Sequence, residues 1–206
     1  MYAFVTAGLS ARICGEYEML EYIYRDMMSM VKFFPYGFTL GLFGATLFLW
    51  VANGLRRRKG KAPAAKLPVA AFVMYLSLML IITFLSRESG DSKGIDLELF
   101  STWGINDRNN AFVIENILLF VPYGLLACFA FGRFRRFLRC MWLGAATSLC
   151  IETLQLITGR GFFQIDDILT NTLGTVIGFA LYGVYTLLRR GWQRQRGQDA
   201  PFEEDE

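Results

Sequence analysis

Apolar residues run along this chain in blocks of about twenty, separated by short polar turns. Residues 33–55, 68–85, 111–131, 138–158 and 168–188 each have about the length that an α-helix needs to cross a hydrocarbon layer of ~30 Å. Gly37, Gly41 and Gly44 place a stripe of small residues on the first block, suited to close contact with another helix. Pro68 opens the second block, and Pro122-Tyr123-Gly124 falls in the middle of the third, where a kink is expected. Ahead of these, residues 3–13 are apolar but too short to span. Tyr17, Leu20, Tyr24, Met27 and Val31 recur at helical spacing, with acidic residues mostly on other faces. The pattern predicts an all-α, polytopic membrane helical bundle of about five transmembrane helices. Residues 1–32 form an N-terminal tail with an amphipathic helix, 33–188 the bundle, and 189–206 a charged, disordered cytoplasmic tail.

Composition agrees with that reading: 54% of the residues are hydrophobic, and the mean hydropathy of +0.35 is too high for an ordinary soluble domain. Charge adds orientation. With five spans, the 56–67 loop, the 132–137 loop and the C-terminal tail share one side and, counted to their flanks, carry 14 of the 21 lysines and arginines. Basic residues collect on the cytoplasmic side, so the C-terminus is expected inside and the N-terminus outside, in a bacterial plasma membrane. There is no histidine, which removes the commonest general base and the commonest zinc ligand. The four cysteines form no CxxC pair.

Candidate chemistry gathers in the passage from Leu149 to Gly174. Glu152 interrupts an apolar span, where a carboxylate costs about 3 kcal/mol unless it faces a partner or a wet cavity. Gln155 lies on the same helical face. Arg160, Asp166 and Asp167 follow in a short turn, and Asn171, Gly174 and Gly178 then share one face. Given the topology, Glu152 sits ~9 Å, Asn116 ~7.5 Å and Asn171 ~4.5 Å from the outer ends of their spans. One site in the outer leaflet is therefore expected, with Glu152 and Arg160 within ion-pair or one-water distance. A purely structural alternative makes that pair a pin between two helices. The oxygens of Glu152, Asp166 and Asp167 could hold a hard cation, but no ligand spacing supports one, and no metal or cofactor is expected. Nor is a nucleic-acid partner.

The motifs Asn116-Ile-Leu-Leu-Phe-Val-Pro-Tyr-Gly124, Glu152-Thr-Leu-Gln155, Gly159-Arg160 and Asp167 followed by Asn171-Thr-Leu-Gly174 resemble the VanZ-like membrane proteins, as does Thr83-Phe-Leu-Ser-Arg87. The resemblance covers about residues 70–188. It picks out Asn116, Glu152, Gln155, Arg160, Asp167 and Asn171, with Asp166 an additional acid beside the matched one. The family is named for resistance to teicoplanin, a lipid-tailed glycopeptide acting on cell-wall precursors. The resemblance thus implies an envelope protein whose outer-leaflet pocket binds a lipid-linked cell-wall component or a lipoglycopeptide. The alternative is a membrane enzyme acting on a lipid-linked substrate with Glu152 as acid or base. The first is preferred because no nucleophile–base pair is visible.

Overall fold

The computed structural model describes residues 17–64, 66–85 and 94–198. The apolar stretch 3–13, residues 86–93 of the α3–α4 loop and the acidic end of the tail lie outside the described residues. Six helices account for nearly all of the rest. They are α1 (17–30), α2 (Phe34–Arg58), α3 (Lys66–Leu85), α4 (Asp107–Ala130), α5 (Phe137–Thr158) and α6 (Ile165–Gln198). A 3-10 turn at Val31–Phe33 joins α1 to α2, so the amphipathic helix leads directly into the first span and the two run on over 42 residues. Five helical units are long and apolar enough to cross a membrane. The fifth overruns its expected end: α6 stays helical through Arg189, Arg190 and Trp192 to Gln198, where a disordered tail was expected. Its own backbone hydrogen bonds hold it there, because arginine and glutamine are good helix formers.

α2 packs on α3 through Gly37 and Gly41, where a methyl group would strike Leu78 and the Met74 backbone. The buried third member of that face is Ala45 rather than Gly44. α1 is tied to the head of α4 by Asp26 and Arg108, 2.9 Å apart. The Arg108 guanidinium also lies over the rings of Tyr22 and Phe112.

α4 starts on an Asn106 side chain that accepts the Asn109 amide, and it continues through Pro122. Its deepest contact is with α6. A Cβ on Gly124, Gly174 or Gly178 would collide with the carbonyls of Thr175, Ile117 and Val121 respectively, so the two backbones touch. Phe72, Met79, Phe120, Tyr123, Ala127 and Ile151 close the apolar core between α3, α4 and α5.

Outside the helices, Ile95–Asp96 pairs in parallel with Phe163–Gln164. This short ladder fastens the α3–α4 loop to the α5–α6 turn. Both connections lie at the end of the bundle where α5 stops and α6 starts.

Candidate functional site

At that end, α5 stops because Gly159 turns left-handed at φ 66°, a conformation glycine adopts without a Cβ clash. The reversal lets the Arg160 amide reach back to the Gln155 carbonyl at 2.9 Å. It also directs the Arg160 guanidinium onto the Phe84 carbonyl at the end of α3. Gln155, one turn earlier, donates to the neighbouring Thr83 carbonyl at 3.1 Å. The last carbonyls of α3, which the helix itself cannot satisfy, are thus met by two side chains of the α5 terminus.

Glu152 lies one turn deeper on α5 and is 2% exposed. Its Oε2 accepts the backbone amide of Gln164 at 3.1 Å, the β-paired residue just before α6. The two residues that the sequence pairs each also hold a backbone group of a neighbouring element. Glu152 fastens the head of α6 and Arg160 the foot of α3.

The two neighbouring acids part company. Asp166 turns outward, its two oxygens accepting the amides of Phe100 at 2.7 Å and Thr102 at 3.0 Å. Phe100 holds a left-handed φ of 63°, a strained conformation for a side-chain-bearing residue, and this carboxylate helps hold it there. Asp167 turns inward and accepts from Asn116 Nδ2 at 2.8 Å, linking α6 to α4. Asp166 is thus a loop anchor rather than a member of the inner cluster.

Deeper still, Asn171 Nδ2 donates to Ser148 Oγ at 2.9 Å, and that hydroxyl donates to the Asp167 carbonyl at 3.5 Å. Asn116 thus meets the first turn of α6 through Asp167, and Asn171 lies one turn further along α6, beside Ser148.

The structure therefore brings Asn116, Glu152, Gln155, Asp167 and Asn171 into one buried seam, with Arg160 at its outer rim. Ser148 and Thr175, both fully buried, belong to the seam and were missed. The available signal was spacing: Ser148 lies four residues before Glu152, and Thr175 four after Asn171. Two acceptors in the seam remain without a hydrogen-bond partner, Gln155 Oε1 and Asn171 Oδ1, on residues 1% and 4% exposed. A buried carbonyl left in this state costs roughly 1–3 kcal/mol. Among the described residues, no three acidic or cysteine side chains form a metal-ligand set. Two surface grooves, of 560 and 850 Å³, lie at the far ends of α6 and α5 respectively.

Five apolar helices with a polar seam sealed between them at one end define a multi-pass α-helical membrane protein. The chain belongs to the VanZ/LLP1 family, whose model matches residues 72–188 and so takes in every helix of the seam. It is similar to Protein VanZ of Enterococcus faecium, 36% identical over 72 residues. That alignment covers 35% of this chain and 44% of the relative, so less than half of the relative's length is spanned. No solved structure matches.

Proposed function

We propose that the chain is an envelope protein of the bacterial plasma membrane that lowers susceptibility to teicoplanin-like antibiotics. It would do so by engaging a lipid-linked cell-wall component, or the antibiotic itself, at the outer-leaflet end of the bundle. The observation that carries this reading is the pair of buried, unpartnered acceptors, Gln155 Oε1 and Asn171 Oδ1, inside the family-matched stretch. Natural cores satisfy such atoms, and exceptions concentrate where function requires them. Acceptors of this kind suit the hydroxyl and amide donors of a glycolipid. Arg160, which uses one arm of its fork on Phe84, suits an anionic head group.

The enzyme reading has less behind it. The buried hydroxyl of Ser148 is engaged by Asn171 and the Asp167 carbonyl, an arrangement that orients a core rather than activating a nucleophile.

The test is expression in a teicoplanin-susceptible host. The unmutated protein should raise the inhibitory concentration of teicoplanin and leave vancomycin, which lacks the lipid tail, nearly unchanged. Arg160→Lys keeps the charge but loses the planar fork. At matched abundance it should protect less. Full protection by R160K would refute head-group binding by Arg160, and no protection by the unmutated protein would refute the resistance reading.

A further inference from the structure

The opposite end of α5, ~22 Å from Glu152 at 1.5 Å per residue, carries a second feature, unrelated to the polar seam. The α4–α5 turn and the first turns of α5 form a groove of 850 Å³ lined by Arg133, Arg136 and Arg139 with Phe137, Leu138 and Trp142. No acidic residue occurs between Glu115 and Glu152, so the groove has no counter-charge in its own segment. Its arginines differ from Arg135 beside them. Arg135 turns away, donating to the Cys128 carbonyl and stacking over Tyr182. Arg133 is braced over the Phe134 ring at 4.6 Å, and Arg136 and Arg139 extend exposed from one turn of chain. Beside them, Leu138 and Trp142 share a helical face, 61% and 66% exposed.

This combination selects its occupant. The groove is shallow, so it does not enclose a free small molecule. A membrane lipid needs no enclosure, because the bilayer holds its tails. Three forked cations beside an apolar face that runs into the span match a negatively charged head group with a hydrocarbon chain below it. Tryptophan at this position also matches the head-group boundary, where amphipathic rings collect. We propose that this groove binds an anionic phospholipid, its phosphate among Arg133, Arg136 and Arg139 and an acyl chain along Leu138 and Trp142. Basic pockets between helices recognise such head groups by the same means.

The full-length protein, purified in detergent, is titrated with dioleoyl phosphatidylglycerol and, separately, with dioleoyl phosphatidylcholine, which has the same chains. Bound lipid is counted by native mass spectrometry. Phosphatidylglycerol should bind more tightly, and R136Q/R139Q should weaken it about 25-fold, at about fivefold per arginine. The control R57Q/R58Q removes the same charge from the last turn of α2 and should stay within twofold of the unmutated protein. Trp142→Ala leaves every arginine in place and, facing outward, leaves the fold intact; it should weaken the lipid severalfold. Equal affinity for the two lipids, full binding by R136Q/R139Q, or an equal loss in the control overturns the proposal. So does unchanged binding by W142A, or displacement by inorganic phosphate at the lipid's own concentration, which would mark a free-anion site.

Discussion

Gly178→Ala and Gly183→Ala make the same chemical change on one helix and should move stability in opposite directions. Alanine is favoured over glycine in a helix interior by about 1 kcal/mol. At Gly183 nothing lies within 4 Å of the added methyl, so that gain is kept. At Gly178 the methyl meets the Val121 carbonyl, with the Leu125 nitrogen at 2.7 Å and the Gly124 carbonyl carbon at 3.1 Å. All three are backbone atoms, which cannot rotate aside, so α4 and α6 must separate. Overpacking costs about 1–3 kcal/mol, and a rigid neighbour places this site at the upper end. Subtracting the helical gain leaves a net loss of about 2 kcal/mol. At roughly 2–4 °C per kcal/mol for a chain of this size, Tm should fall by about 4–8 °C for G178A and rise by about 2–4 °C for G183A. A thiol-reactive fluorophore can follow the transition in detergent, since Cys128 and Cys140 are buried and become reactive on unfolding, with exposed Cys150 as the baseline. If G178A melts at or above the unmutated protein, the backbone contact between α4 and α6 is not what holds that interface.

Asp166→Asn leaves one acceptor where two loop amides need two, and should cost about 2 kcal/mol by the worth of hydrogen bonds to charged groups. Faster hydrogen exchange at Phe100 and Thr102 would show it, and unchanged exchange would count against the anchor. Asp96 is held below the ordinary carboxylate range, first by the Glu98 amide, then by the Ser101 hydroxyl and the Gln164 side chain. Its stabilisation is therefore complete above the unfolded value of ~3.9 and is lost as pH falls through the lower folded value. Trp103 emission, in a variant with the other tryptophans changed to phenylalanine, should shift in that acid range and lose the step in D96N. Reporter fusions after Lys61, Arg136 and Trp192 should read as cytoplasmic and one in the 94–106 loop as external. An external signal at Arg136 would invert the whole orientation.

The spans were legible because a bilayer demands about twenty apolar residues in a row, and little else produces that pattern. The buried seam was legible for the same reason, since Glu152, Gln155 and Asn171 interrupt stretches where polar groups are costly. The separate fates of Asp166 and Asp167 were left open although the sequence held the answer. Asp167, Asn171, Gly174 and Gly178 follow at spacings of four, three and four, so one face carries the inward acid and both contact glycines. Asp166 lies about 100° away from that face. What no spacing shows is the two-residue ladder between Ile95–Asp96 and Phe163–Gln164, or the choice of Gln164 as the Glu152 partner. Both depend on where two distant loops meet in space. The acidic residues of 17–30 mark an amphipathic helix, and its spacing alone leaves open whether it lies on the surface or leads into the first span, as the backbone does.

Adjacent carboxylates on a helix point in different directions, and here each is fastened to a different body. Asp166 grips the backbone of the α3–α4 loop, and Asp167 grips Asn116 on α4. The first turn of α6 is therefore held like a shaft with two keys cut about 100° apart. It cannot twist about its own axis without shearing one of them. Force applied to the loop at Phe100–Thr102 acts on α6 as a torque and reaches α4 through Asn116, one residue after it arrives.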